Sequence, residues 1–250
     1  MPAKQQLRRA LTTVGLEPRA VALKRAFEPA HTTQDRRDHE ALNTIFAAAL
    51  APDANGVDVG AHTGDVLSEI VRIAPLGHHI GFEPLPQLAR QLQQRLPGVC
   101  VRNVALSDEP GTASFTHVID RPGWSGLQHR PTPDGEAART ELIEVTVERL
   151  DDALPEDYAP TLIKIDVEGA ELGVLRGARA TLATHRPLLV FEHGLGSADH
   201  YGTAPEDVHD LLAQELGYRV FDLQGDGPYD RARFMETFHT AARVNFLARP

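Results

Sequence analysis

Carboxylates lie within or directly after several short apolar runs of this 250-residue sequence. Asp58 lies in the first run, which leads into a turn that contains Gly60 and Gly64, and Glu83 ends the second run. Glycines after a strand let the backbone approach a ligand closely, and a carboxylate at the next strand end can accept two hydrogen bonds from a ribose diol. These positions predict a nucleoside-binding site.

Two classes of nucleoside cofactor share this arrangement. A dinucleotide site typically has the pattern Gly-x-Gly-x-x-Gly, so that a pyrophosphate can rest on the helix N-terminus. Here Gly60 and Gly64 are four residues apart, and the carboxylate of Asp58 would repel a pyrophosphate but suits the ammonium group of a methionine moiety. No tyrosine starts the Tyr-x-x-x-Lys pattern of hydroxyl dehydrogenases. The pattern therefore favours S-adenosylmethionine, with a nicotinamide-dependent oxidoreductase and a non-catalytic nucleoside-binding protein as alternatives.

A second set of polar side chains ends two later apolar runs. Asp166 follows one run, and Glu192 and His193 end the next. Ligands of open α/β sheets bind at the carboxyl ends of strands, so we expect these three side chains to surround the reacting atoms. If the acceptor is an alcohol, a base must take its proton, and our hypothesis is that His193 is the base and Asp166 orients the acceptor.

A further hypothesis adds a divalent cation such as Mg²⁺ at the same three residues. Two carboxylates and an imidazole suit a divalent ion, and a bound ion would lower the pKa of the acceptor oxygen. The alternative is that acids at strand ends serve as helix caps or structural ion pairs.

Apolar runs and amphipathic segments alternate along the chain, which predicts a parallel sheet with helices on both faces. The predicted strands of this sheet are residues 56–59, 79–82, 99–106, 162–167, 188–192, 218–223 and 244–248. The predicted helices are residues 65–74, 85–96, 170–184 and 205–216. No helix signal separates the last two strands, so they are expected to form an antiparallel hairpin. Residues 113–118 and 143–150 are predicted to be two strands of a β insertion after the third strand. A loop rich in proline and glycine joins these two strands.

The first part of the chain differs from the rest. Residues 1–50 are predicted to be a helical lead-in, in which Asp38 caps a helix that runs to Leu50. A break over residues 52–56 follows, and residues 51–250 are predicted to form the functional domain.

Composition narrows the range of partners. The net charge of -10 argues against nucleic acid, because phosphates require clustered Lys and Arg. The single cysteine, Cys100, excludes an intramolecular disulfide framework. No stretch approaches the ~18 apolar residues of a membrane span. We expect no membrane partner and a cytoplasmic location.

The most specific segment is Lys164–Glu171, with the sequence Lys-Ile-Asp-Val-Glu-Gly-Ala-Glu. Together with Asp58–Gly64, Phe82–Pro84 and Asn103–Asp108, it resembles the FkbM family of methyltransferases. The resemblance implies a class I, Rossmann-like fold with a seven-stranded, mostly parallel sheet. It also implies S-adenosylmethionine as the cofactor and methyl transfer, often to a hydroxyl oxygen of a small molecule, a natural product or a glycan.

The resemblance carries over to individual positions around the cofactor. The cofactor-binding residues that it implies are Asp58, Gly60, Gly64, Glu83, Ala105, Ser107 and Asp108. The first three would line the methionine part, Glu83 would hold the ribose, and the last three would lie near the adenine. Asp166 would stand beside the transferred methyl group. His62 belongs to the same glycine turn, but the family often has Asn there, so its contact with the cofactor cannot be copied from the family.

Overall fold

A computed structural model describes residues 30–130 and 138–250, and the chain divides into two units after Leu42. Helix α1 (Ala30–Ala49) begins eight residues before Asp38, so the prediction that Asp38 caps this helix is wrong. Asp38 instead accepts a hydrogen bond from the Gln34 side chain at 2.7 Å, one helical turn earlier. Residues 1–29 of the predicted lead-in lie outside the described residues, and the boundary at residue 50 stays a prediction.

The unit from Asn43 onward contains the strands and the remaining helices. In chain order the strands are β1 (Gly56–Val59), β2 (Ile80–Phe82), β3 (Cys100–Arg102), β4 (Ala105–Leu106), β5 (Gly111–Val118), β6 (Thr140–Glu148), β7 (Leu162–Ile165), β8 (Leu188–Glu192), β9 (Arg219–Asp222) and β10 (Asn245–Arg249). The helices are α2 (Asp65–Ile73), α3 (Pro86–Arg95), α4 (Leu150–Ala153), α5 (Glu171–Arg176), α6 (Arg179–His185), α7 (Pro205–His209) and α8 (Arg231–His239).

Seven strands form the main sheet in the order β3-β2-β1-β7-β8-β10-β9. The first five run parallel, and β10 is antiparallel to both of its neighbours. The strands β1, β2 and β7 are buried along their whole length, as expected for a parallel sheet covered on both faces. This architecture confirms the predicted fold class.

The strand order places a topological switch point between β1 and β7. From β1 the chain runs outward through β2 to β3, and it later returns to the other side of β1 as β7. Ligands of open α/β sheets bind at the carboxyl ends of the strands at such a point. The switch point therefore fixes where the site should lie.

Two predicted elements are interrupted in the structure. The predicted third strand divides into β3, in the main sheet, and β4, which pairs with β6 in a second sheet. Between them, the Asn103 side chain donates to the backbone oxygens of Glu83 and Pro84, both at 2.9 Å, and so holds the chain away from a straight path. The predicted helix 170–184 divides into α5 and α6 at Gly177, whose backbone packs against Ser107: a Cβ there would lie 2.3 Å from Ser107 O.

The C-terminal antiparallel pair is confirmed, but its connection was predicted wrongly. Helix α8 lies between β9 and β10. Its N-cap is Asp230, which accepts a hydrogen bond from Arg233 N at 2.8 Å. Phe234 and Phe238, four residues apart, bury one face of this helix. Two apolar residues on one face are too weak a pattern to predict a helix from the sequence.

The β insertion is confirmed as a small sheet in the order β4-β6-β5. Strands β5 and β6 pair antiparallel along eight residues. Phe115, Val145 and Ala105 of this sheet pack in one cluster with Leu85, which follows β2. The insertion thus covers one side of the carboxyl edge of the main sheet. None of the helices in the described part of the chain is long and apolar enough to cross a membrane.

Candidate active site

A cavity lies at the switch point, where β1, β2 and β7 end. Its wall includes Gly60 and Glu83 from the first two turns and Asp166 and Glu168 from the turn after β7. Val104, Ala105, Leu106 and Phe115 form an apolar portion, and Pro122, Gly123, Ser125 and Leu127 close it from the insertion. The cavity therefore brings together carboxylates from two turns, the backbone of a third, and an apolar wall that the insertion supplies in part.

The turn after β1 requires glycine at two positions. Gly60 has φ +80°, and a Cβ there would lie 1.8 Å from the backbone oxygen of Asp166. Gly64, at the N-cap of α2, has φ +78°, and a Cβ there would lie 2.2 Å from a methyl carbon of Leu92. Both backbone conformations are unfavourable for L side chains. The glycines therefore let β1, β7 and α3 approach each other around the cavity.

Glu83 presents a fixed carboxylate at this cavity. One oxygen, Oε2, accepts from His62 N at 2.8 Å, and the other, Oε1, accepts from Leu85 N at 2.8 Å. Each oxygen retains a second lone pair for a ligand. Burial raises the pKa of Glu83 to about 7, although both backbone hydrogen bonds favour the ionised form. The carboxylate is thus oriented by the protein before any ligand arrives.

Asp58 lies behind the glycine turn and does not line the cavity. It is buried, and its Oδ2 has no hydrogen-bond partner among the described residues. Burial raises the pKa of Asp58 to about 6, while the neighbouring Lys164 opposes the rise. Asp58 and Lys164 are direct partners in the β1–β7 register. A direct contact between Asp58 and the methionine part of a cofactor stays a prediction.

Asp166 and Glu192 form a pair of carboxyl groups at the ends of β7 and β8. About 33% of the Asp166 side chain is exposed, and it faces the cavity. Burial alone would raise the pKa of Asp166, but Lys164 and a hydrogen bond with Glu192 hold it below its usual value. Burial and the nearby Asp166, Glu168 and Glu171 raise the pKa of Glu192 well above its usual value. These opposite directions favour the proton of the pair on Glu192 and leave Asp166 as the ionised member.

Glu168 lines the cavity two residues beyond Asp166, in an unusual backbone conformation. Its φ is +60°, which is rare for a residue with a side chain. Its Oε2 is paired with the guanidinium of Arg130, a residue of the insertion. Glu171 supports the same turn from below, because its Oε1 accepts from Val167 N and Gly169 N. The turn after β7 is thus held by two carboxylates and one arginine.

His193 does not join this group. Its ring is fully buried on the other face of the sheet, beside the rings of Phe234 and Phe238, with centroids 5.9 and 4.9 Å away. Neither ring nitrogen has a partner among the described residues, and burial lowers the pKa of His193 to about 4. Successive residues of a strand point to opposite faces, so Glu192 and His193 cannot both face Asp166. The hypothesis that His193 is the base gains no support from this geometry.

The same alternation separates the three residues of the proposed metal site. Across residues 30–130 and 138–250, no group of three or more His, Cys, Asp or Glu side chains is arranged to hold a metal ion. The divalent-cation hypothesis for Asp166, Glu192 and His193 is therefore unsupported.

The residues expected near the adenine are divided between two places. Ala105 lines the cavity. Ser107 and Asp108 turn away from it: the Ser107 hydroxyl donates to Asp108 Oδ1 at 3.1 Å, and both residues pack over Gly173 of α5. His62 does line the cavity, with φ +47°, and its Nε2 has no described partner.

Comparison with known sequences decides the family. The sequence profile described as the methyltransferase FkbM domain matches residues 58–220, which is well over half of the chain. The chain belongs to the FkbM methyltransferase family. It is 31% identical over 152 residues to methyltransferase sdnD of Sordaria araneosa, covering 48% of this chain and 59% of that protein.

Other relatives of this FkbM-family chain differ in length. It is 28% identical over 208 residues to the AMB antimetabolite synthetase AmbE of Pseudomonas aeruginosa, covering 68% of this chain but 10% of that protein. The chain spans less than two thirds of each curated relative that it matches. The crystal structure of methyltransferase FkbM from Methylobacillus flagellatus KT has the same fold, with a TM-score of 0.50 and 19% identity over 80% of this chain and 44% of that one.

Phe115 and Arg130 belong to the candidate site but were not predicted from the sequence. Phe115 reaches the cavity from the insertion sheet, and Arg130 reaches Glu168 from 38 positions earlier in the chain. Both depend on how the insertion folds back over the main sheet. No local spacing in the sequence indicates either contact.

Proposed function

We propose that this FkbM methyltransferase uses S-adenosylmethionine to methylate a hydroxyl oxygen of a small natural product or a glycan. The proposal rests on one observation: the oriented carboxylate of Glu83 and the carboxylate of Asp166 line the same cavity. A nucleoside would be recognised at the first, and an acceptor proton would be taken at the second. One relative is named as a synthetase of an antimetabolite, which supports a small-molecule acceptor.

The residues present fit a nucleoside with a methionine tail. Glu83 offers two free lone pairs to a ribose diol, and Ala105 and Phe115 offer an apolar surface to a base. Gly60 lines the same cavity, where a backbone without a side chain permits close approach of a ligand chain. When bound, the cofactor would supply an electrophilic methyl group on a sulfonium; the bond between this methyl group and sulfur would break on transfer, leaving a neutral thioether.

The protein residues would handle the acceptor proton. As the new O–C bond forms, the acceptor O–H bond breaks and the proton moves to the carboxylate of Asp166. Lys164 Nζ, 2.8 Å from Asp166 Oδ2, keeps this carboxylate ionised before the reaction. A carboxylate with a lowered pKa is a weak base, so the proton would move as the methyl group arrives and not before. Holding the two reactants in line supplies much of the remaining rate enhancement.

Calorimetric titration with S-adenosylhomocysteine tests the cofactor assignment. We expect micromolar binding by the wild type and at least about tenfold weaker binding by Glu83→Ala, because a buried bidentate acceptor is lost. Glu69→Ala, which removes a partly buried carboxylate paired with Arg72 away from the cavity, is the matched control and should bind as the wild type does. Absence of binding by the wild type would contradict the proposal.

The acceptor atom needs a separate experiment. Formation of S-adenosylhomocysteine would be measured with a panel of hydroxylated small molecules and sugars, each beside its methyl ether or deoxy analogue. Turnover with hydroxyl compounds and none with their blocked analogues is the expected result. Turnover that persists with the blocked analogues would show that the methylated atom is not that oxygen.

A further inference from the structure

Residues 121–130, called the strap below, form the wall of the cavity opposite the main sheet. The strap leaves β5 and contributes Pro122, Gly123, Ser125 and Leu127 to the cavity. Two backbone hydrogen bonds between Thr116 and Gly126, of 2.8 and 3.1 Å, tie it back to β5. Its Gln128 N also donates to the Tyr201 hydroxyl at 3.1 Å, in the segment that follows β8. The strap therefore bridges the insertion and the carboxyl edge of the main sheet.

Arg130 makes the densest contacts at the end of the strap. Only 5% of this residue is exposed. Its guanidinium is paired with Glu168 Oε2, donates to Gly196 O at 3.2 Å, and lies 4.5 Å from the centroid of the Trp124 ring. One side chain thus joins the strap, the turn after β7 and the turn after β8. The planar fork of arginine allows this combination, and lysine could not reproduce it.

Glu168 is the partner through which Arg130 reaches the cavity. About 28% of the Glu168 side chain is exposed, and the residue lines the cavity wall. Arg130 occupies Oε2, and no described residue donates a hydrogen bond to Oε1. A non-glycine residue at φ +60° persists where its surroundings hold it, and such strain is concentrated at functional sites. Glu171 restrains the backbone on both sides of Glu168, and Arg130 restrains its side chain.

We propose that Arg130 is a positioning residue for the methyl acceptor: it holds the strap closed and fixes Glu168 so that Oε1 accepts a hydrogen bond from the acceptor. This inference rests on the proposed function, since it places the acceptor beside Asp166 and beyond the cofactor. Glu168 then selects an acceptor that carries a hydrogen-bond donor besides the methylated hydroxyl. The strap, with Trp124 packed on Arg130, separates the reacting atoms from solvent.

The fluorescence of Trp124 tests the strap directly, because Trp124 is the only tryptophan in the sequence. Arg130→Met keeps a long unbranched apolar side chain but removes the guanidinium. We expect acrylamide quenching of Trp124 to rise about twofold in Arg130→Met, with Arg130→Lys intermediate, since the cation–π contact and the fork are lost. Arg139→Met, which breaks an exposed ion pair with Asp120 in the same insertion, is the matched control and should leave quenching unchanged. Unchanged quenching in Arg130→Met would overturn the proposal.

Kinetics with an acceptor from the panel test the positioning of the substrate. In Arg130→Met and Glu168→Ala we expect the acceptor KM to rise about tenfold, while the KM for S-adenosylmethionine changes less than about threefold. Glu168→Gln retains an oxygen acceptor and should recover part of the lost affinity. An equal rise of both KM values, or none in either variant, would contradict the assignment. If Arg130→Met shows no cooperative unfolding transition and is therefore not folded, Arg130→Lys replaces it in the same test.

The two proposals fail in different ways. If the wild type does not bind S-adenosylhomocysteine, the proposed function fails, and the kinetic part of this inference fails with it. If it binds and turns over but Arg130→Met matches the wild type in quenching and in acceptor KM, only the assignment of Arg130 is wrong.

Discussion

Lys164 Nζ lies 2.8 Å from Asp166 Oδ2, and the residue opposite Lys164 in strand β1 is Asp58. One buried ammonium therefore faces two carboxylates at the switch point. Burial opposes the charge of Lys164, but Asp166 and Asp58 outweigh it and hold the pKa of the ammonium above its usual value. This arrangement keeps Asp166 ionised at the cavity, and it makes Lys164 the residue on which two other charges depend.

Replacing Lys164 should therefore destabilise the fold. Lys164→Met leaves buried Asp58 without a counter-charge, and we expect the free energy of unfolding to fall by roughly 3 kcal/mol. Adding Asp58→Asn removes the stranded charge, so the double variant should recover a large part of that loss. Urea denaturation at pH 7.5 measures both changes. Equal stabilities of the single and double variants would show that Asp58 does not depend on Lys164.

The raised pKa of Glu83 predicts a pH dependence of cofactor binding. A carboxyl with a pKa of about 7 is mostly ionised at pH 8 and mostly protonated at pH 6. A protonated carboxyl loses acceptor capacity for a ribose diol, so the Kd of S-adenosylhomocysteine should be about tenfold higher at pH 6 than at pH 8.

Glu83→Gln isolates this effect, because Gln does not titrate. The Kd of Glu83→Gln should be higher than that of the wild type at pH 8 and should vary less between pH 6 and pH 8. Asp58 and Glu168 titrate in a similar range in both proteins, so the comparison between them reports on Glu83. The same pH slope in both proteins would rule out Glu83 as its source.

The sequence predicted the main sheet well because its inner strands are buried on both faces. The runs at 56–59 and 188–192 match β1 and β8 at both ends. It failed where a tertiary contact decides the local structure. Asn103 divides the third strand by binding the backbone after β2, and Gly177 divides a helix because it packs against Ser107. Neither partner is near in sequence.

The site was predicted in part for a similar reason. Spacing along a strand predicts which edge of the sheet a residue reaches, so Gly60, Glu83 and Asp166 were placed at the cavity. Successive residues of a strand point to opposite faces, and this alternation, which separates Glu192 from His193, could have been applied to the sequence. The pairing of Arg130 with Glu168 depends on the path of the insertion, on which the sequence pattern carries no information.

Asp166 and Glu192, the carboxyl pair at the ends of β7 and β8, should respond differently to isosteric substitution: turnover should fall in one variant and be retained in the other. Asp166→Asn removes the proposed proton acceptor, so turnover should fall by about 10²-fold or more while S-adenosylhomocysteine still binds. The pKa directions favour the proton of this pair on Glu192, and Gln can donate a hydrogen bond in the same place, so Glu192→Gln should retain most of the turnover. Steady-state rates with the acceptor measure both. A loss in Glu192→Gln as large as in Asp166→Asn would show that Glu192 acts as an ionised base.

Replacing His193 tests whether this residue takes part in the reaction or only in packing. Its buried ring has two nitrogens without described partners and lies beside Phe234 and Phe238, away from Asp166. We therefore expect His193→Leu to keep turnover within about threefold of the wild type, because no step at the cavity uses this ring. Loss of turnover in a variant that still folds and binds S-adenosylhomocysteine would restore His193 as the candidate base.

The same variant should change how stability depends on pH. The pKa of His193 is about 4 in the folded protein and near 6.5 when unfolded, so between these values the unfolded state binds more protons. This histidine therefore contributes stability that is present above pH 6.5 and is lost as the pH falls towards 4. Relative to its value at pH 7.5, the free energy of unfolding at pH 4 should fall by up to about 3 kcal/mol more in the wild type than in His193→Leu. Urea denaturation at both pH values measures the difference, and parallel curves would mean that the ring is protonated or hydrated in the folded protein.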